Sequence, residues 1–217
     1  MKRVVKGESP PEFEAWKSAS SADWTPSYRS LQNPQKRALH MALLKEQAGV
    51  CCYCGRAISL DDSHIEHFRP QELREDLALD YANLFASCIR ETRPGNPLHC
   101  GHAKGNAFDE GSHISPLDVH CERRFIYQLD GAISPTDQPD RAARYMSELL
   151  KLDQAFLRSC RREVLASVFD PDFLLTATDE ELGRLAAAYG EPDAEGRLES
   201  FGHVLRRFIE QLLTPIT

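Results

Sequence analysis

A short run, His64-Ile65-Glu66-His67-Phe68-Arg69-Pro70, sets a carboxylate beside an imidazole soon after a Cys-x-x-Cys turn, Cys51 to Cys54. A phosphodiester resists hydrolysis because it is an anion, because its attacking water has a high pKa, and because its leaving group is an alkoxide. One divalent cation can neutralise the phosphoryl and leaving oxygens while one imidazole deprotonates water. Glu66 is a hard oxygen ligand of the kind Mg²⁺ or Mn²⁺ takes, and His67 is a base with a suitable pKa. Neighbours on a strand face opposite sides. For both to serve one phosphate, the strand must end or bend at this point, and Arg69-Pro70 fits such an end.

The chain has seven cysteines, with Cys51, Cys52, Cys54, Cys88, Cys100 and Cys121 gathered between residues 51 and 121 and Cys160 apart. A cluster of this kind in a reducing compartment suggests metal rather than disulfides. Cys51 and Cys54 can place two thiolates on one tetrahedral ion, and Cys88 with Cys100 supplies the second pair for a structural zinc. Cys52 should point away, and Cys121 is a reserve ligand. Buried free thiols and a redox pair are the rival readings, and the βαβ setting of a redox pair is missing.

Around these residues the elements are short. Residues 1–32, with Trp16 and Trp24, read as an extended arm lying on the body. Asn33 and Pro34 open a helix with Ala38, Leu39, Ala42 and Leu43 on one face, stopped at Gly49. Strands are expected at 57–60 and 64–68 around a turn at 61–63, and "RPGNP" at 93–97 is loop composition. Asp130-Gly131 between apolar runs predicts a β-hairpin. From about 138 the pattern is helical, with a capping box at Thr178 and Glu181 and a last helix over about 194–213. Glu122, Arg123 and Arg124 read as a solvated face, and Phe125, Tyr127, Phe156 and Phe169 as core; His64 shares the strand face of Glu66 and could be a ligand or polar surface, with surface favoured. The expectation is an α+β fold, a zinc-stapled core flanked by an N-terminal arm and helix and a C-terminal helical region. The predicted units are 1–50, 51–136 and 137–217.

The 217 residues are 41% hydrophobic and 27% charged, an ordinary globular balance. No apolar run reaches membrane-spanning length, and "MKRVVKGESPPEF" lacks a signal-peptide core, so a cytoplasmic protein with no membrane partner is expected. The net charge of −7 is uneven: +3 over residues 1–50, −3 over 51–109 and −7 over 110–217. That is not the footprint of a protein holding nucleic acid by charge alone. Contact must be local or assisted.

"CCYC" at 51–54, "IEHFRP" at 65–70, "DYANLFASC" at 80–88 and "HCGHAKGN" at 99–106 resemble the cysteine-containing HNH, or ββα-metal, nucleases. A narrower likeness, over about residues 8–165, is to the HNH subunits of Septu-type and retron-associated anti-phage systems. It includes "PPEFEAWK" and "ISPLDVHCERRFIYQLDGAI". The resemblance implies a metal-dependent endonuclease, acting on DNA before RNA, that works beside an ABC/SMC-like ATPase. By position, Glu66 would bind the catalytic Mg²⁺ or Mn²⁺, His67 would be the base, and Asn83 would fix the base's loop. Lys104 and Arg69 would meet phosphate, Lys104 also bracing the helix. The helix position that normally carries a ligand is Gly101 here, and the neighbouring His102 is the expected second ligand, ahead of Asn106 and Asp118. The alternatives are a zinc-stapled, non-catalytic interaction subunit and an RNA-cleaving nuclease.

Overall fold

The computed structural model describes residues 1–92 and 94–214; Arg93 of the expected 93–97 loop lies outside the described residues. The N-terminal segment is more than an arm. Helix α1 (Pro11–Ser18) begins at a proline whose missing N–H is harmless at the first helical position, with Glu12 and Glu14 in the first turn and Lys17 in the last. That sequence signal predicts a helix, and the extended reading overlooked it. Phe13 is buried beneath α1, and Trp24 packs edge-on against Trp16 with centroids 5.6 Å apart.

Helix α2 (Gln35–Glu46) turns Leu39 and Leu43 inward as its stripe predicts, although Pro34 rather than Asn33 occupies the N-cap position. Gly49, at φ +72°, ends it and delivers the chain to Cys51. Strand β1 (Ser63–His67) pairs antiparallel with β2 (Leu84–Cys88), setting Glu66 opposite Phe85 and His67 opposite Leu84. The free edge at Ala86 is satisfied by a side chain. Gln47 Nε2 donates to the Ala86 carbonyl (2.8 Å), and Gln47 Oε1 accepts from the Ala86 amide (2.7 Å). The strand expected at 57–60 is a single bridge between Ala57 and Val50. Asp62 takes the Ser59 amide at 2.6 Å, and this local bond competes with a ladder.

A four-residue helix, α3 (Gly101–Lys104), follows; then come β3 (Phe125–Tyr127) and β4 (Ile133–Pro135), paired across the turn at Asp130-Gly131. The helices α4 (Arg141–Leu149), α5 (Ala155–Val168), α6 (Pro171–Thr176), α7 (Asp179–Ala188) and α8 (Gly202–Leu213) complete the chain. Thr178 and Glu181 do form a capping box. The last helix starts later than expected, because Asp193 accepts the amides of Glu195 and Arg197 and closes a turn at 193–197. The result is a mixed α+β architecture of two small antiparallel sheets and helices. Among the described residues no helix is long and apolar enough to cross a membrane.

Two ties hold the far ends of the chain to the middle. Glu122, expected in solvent, is buried and accepts from Lys2 Nζ (2.9 Å), the Arg3 amide (2.8 Å) and Arg206 Nη2 (2.5 Å). Arg124 is engaged by Asp140. The approach to α8 clasps the Cys-x-x-Cys turn. The Phe201 amide donates to the Gly55 carbonyl (2.8 Å), and the His203 ring fills the space where a Cβ on Gly55 would stand. Phe125, Tyr127 and Phe169 are core as predicted, whereas Phe156 stays at the surface, stacked on His99.

Candidate metal centre and hydrolytic site

Four thiols converge from separate elements. Cys51 and Cys54 lie on the turn after α2, Cys88 ends β2, and Cys100 leads into α3. Their sulfurs all lie within 4.8 Å of one another, and all four residues are buried. Sulfurs bound tetrahedrally to one zinc are about 3.8 Å apart, from a Zn–S length of about 2.3 Å. Cys54 Sγ and Cys88 Sγ are 3.6 Å apart, so donor type, number and spacing fit that ion. The Cys51 thiol is held well below its ordinary pKa: burial opposes ionisation, and hydrogen bonds from Cys100, Cys52, Cys54 and Cys88 outweigh it. His99 Nδ1 stands 3.2 Å from Cys100 Sγ, a neighbour the sequence reading missed. Cys121 is no reserve: its thiol faces the Pro116 carbonyl, outside the group of four.

Glu66 sits one layer away, only 7% exposed. Its two oxygens have different surroundings. Oε1 lies 2.9 Å from Lys104 Nζ and accepts from the Tyr53 hydroxyl at 3.1 Å. Oε2 faces His64 Nε2 at 3.3 Å. Burial opposes ionisation of Glu66, but His64 and Lys104 outweigh it and lower its pKa. Lys104 also donates to the His67 carbonyl (3.0 Å), so it braces strand and helix from the interior. His64 is not loose surface. It is half-buried, and its Nδ1 donates to the Ile89 carbonyl. His102 Nε2 donates to that same carbonyl (2.8 Å), and the two rings lie 4.4 Å apart. His102 thus reaches His64 and Ile89 rather than Glu66. Period-2 alternation from Glu66 was the signal for His64.

His67 ends β1 and faces away from Glu66. Its Nε2–H donates to the Ala78 carbonyl (3.0 Å), which can only accept, so the lone pair is on Nδ1. Tyr28 packs edge-on with its centroid 4.4 Å away. Burial lowers the His67 pKa despite the Ala78 bond and the Glu66 charge. Asn83 holds the segment after His67 from both sides. Its Oδ1 accepts from the Arg69 amide (2.8 Å), and its Nδ2 donates to the carbonyls of Arg69 (2.9 Å) and Leu77 (3.1 Å). Arg69 itself is paired with Glu110 through two bonds, at 2.8 and 3.0 Å.

A cleft of about 360 Å³ runs beside β1, lined by Tyr28, Lys36, Arg37, His40, His64 and Arg90 among others, with no acidic residue among the described residues of its wall. In a chain of net charge −7 this is a local basic surface.

No family model matches the chain. Over 139 residues it is 27% identical to a protein of Vibrio cholerae serotype O1 biovar El Tor named "Retron Vc95 putative HNH endonuclease", covering 61% of this chain and 64% of that relative. The chain therefore spans a little less than two thirds of the relative's length. The likeness supports a relationship to that protein, and in the structure Glu66 and His67 lie on β1 with Cys88 at the end of its partner strand.

Proposed function

We propose that this protein is a metal-dependent HNH endonuclease that hydrolyses phosphodiester bonds of nucleic acid, DNA before RNA. The observation that carries this reading is His67 at the end of β1, with its Nε2 hydrogen committed to Ala78, so that among the described residues its Nδ1 is the nitrogen left to take a proton. In the proposed step a water proton passes to His67 Nδ1, the water oxygen attacks phosphorus, and the bond to the leaving ester oxygen breaks. Asn83 keeps Arg69 and the turn behind His67 in place, which preserves the base's orientation. A Mg²⁺ or Mn²⁺ ion, when bound, supplies charge neutralisation at the phosphoryl group. Glu66, with the imidazole nitrogen that faces its Oε2, would hold it. The four cysteines would hold a structural zinc, since four thiolates leave no open position. The basic cleft gives the substrate backbone a place beside the strand.

The −7 charge favours assistance in binding, and an ABC/SMC-like ATPase in an anti-phage assembly is the partner we propose. DNA affinity measured at one salt concentration, with and without that ATPase, tests this; equal affinities contradict it. For the chemistry, plasmid DNA and RNA are offered with Mg²⁺ or Mn²⁺ and the ATPase partner present. Cleavage should fall by about 10²–10⁴-fold in His67→Ala, with zinc content and melting temperature retained. A variant as fast as the parent overturns the mechanism. A second reading, a zinc-stapled interaction subunit without catalysis, draws support from Lys104, which already neutralises Glu66, and from Gly101. It predicts no metal-dependent cleavage by the parent.

A further inference from the structure

On the hydrolytic reading above, we infer that His64 is the nitrogen ligand that joins Glu66 on the divalent cation, so that both ligands come from one face of β1 and none from α3. Three observations meet at this point. Glu66 Oε1 is committed to Lys104 and Tyr53, which leaves Oε2 as the oxygen available to a cation. The neighbour of Oε2 is His64 Nε2, at 3.3 Å. Adjacent ligands of an octahedral ion with bonds of about 2.1 Å stand about 3.0 Å apart, close to this separation. The helix side is vacant by construction: a Cβ on Gly101 would fall 2.8 Å from His64 Nε2 and closer still to Glu66 Oε2. A side chain at 101 and the present position of His64 exclude each other.

The tautomer agrees. The Ile89 carbonyl can only accept, so Nδ1 of His64 carries hydrogen, and in the neutral ring Nε2 turns its lone pair toward Oε2. Two acceptors facing each other need a positive group between them, a proton or a metal ion. A ring held by Nδ1–H on a backbone carbonyl is how metal-binding histidines are commonly oriented. His102 has spent its Nε2 hydrogen on that carbonyl and stands behind His64 as packing. A carboxylate–imidazole pair also favours Mn²⁺ over Mg²⁺, since imidazole suits transition metals and Mg²⁺ prefers oxygen.

The test is Mn²⁺ binding to the zinc-loaded full chain, by calorimetry and by pulsed EPR, which detects the ¹⁴N coupling of a bound imidazole. The parent should bind one Mn²⁺ with that coupling. His64→Ala should lose the coupling and bind about tenfold or more weakly, while His102→Ala keeps the coupling and stays within about twofold. Zinc content and thermal midpoint verify folding. Should His64→Ala not fold, the coupling in the parent and in His102→Ala still decides. Coupling that persists in His64→Ala, or vanishes in His102→Ala, overturns the inference. Mn²⁺ held through His64 without any cleavage leaves this inference standing and removes the nuclease reading. A parent that binds no Mn²⁺ removes both.

Discussion

Nζ of Lys104 lies 2.9 Å from Oε1 of Glu66, with the lysine side chain only 1% exposed. A buried pair of this kind costs desolvation to form, and breaking it leaves an uncompensated charge. Lys104→Met should destabilise the protein by about 3–5 kcal/mol in urea unfolding. Tyr53→Phe, which removes one neutral donor from the same oxygen, should cost only about 1 kcal/mol. Equal costs would show that the ion pair is not what holds Glu66.

The thiol cluster makes a separate demand. If the four thiols hold one zinc as proposed, Cys88→Ser should lower metal content from one zinc per chain toward none and bring the thermal midpoint down, because such an ion would join β2 to the Cys-x-x-Cys turn. Cys121→Ser, outside the cluster, should keep the zinc. Elemental analysis of the two variants separates these outcomes.

Asn83 makes three hydrogen bonds around Arg69 and Leu77. In Asn83→Ala a loss of about 1–3 kcal/mol is expected from the groups left unpaired. Cleavage should fall by about 10²-fold as the turn behind His67 loosens. Mn²⁺ affinity should not change. A variant that loses stability but cuts normally would limit Asn83 to a structural role.

Acid stability should depend on Glu122. Burial opposes its ionisation, but the field of His203, the Lys2 ammonium and the Arg3 amide outweigh it and bring its pKa down to about 2 from an ordinary 4.5. A carboxyl with a depressed folded pKa stabilises the fold fully above the unfolded value, and the contribution fades as pH falls from about 4.5 through about 2. That contribution is on the order of 3 kcal/mol. Glu122→Gln should therefore cost stability at pH 7 and much less near pH 2, measured by denaturant unfolding at each pH.

The sequence carried local signals faithfully and long-range ones poorly. Thr178 with Glu181, the Asp130-Gly131 turn and the stripe of Leu39 and Leu43 are decided within a few residues, and each appears where the pattern puts it. The four cysteines could be grouped because thiolate chemistry restricts their purpose. Among the described residues the segment 57–60 has strand composition but no strand partner beyond one bridge, and composition cannot supply a partner. Glu122 looked like solvated surface because Lys2 and Arg206, which bury it, lie far away in sequence. His64 was misread for a related reason: its anchor, Ile89, lies 25 residues away, across the strand pair.

The ring of His203 seated over Gly55 has a mechanical consequence. The start of α8, beyond the stretch that resembles the nucleases, sits as a latch over the Cys-x-x-Cys turn, so spreading that turn must displace the His203 ring and break the Phe201–Gly55 hydrogen bond. The rate at which a chelator strips the thiolate ion should therefore report how often that latch opens. Any ligand that grips α8 would slow the stripping without touching a cysteine.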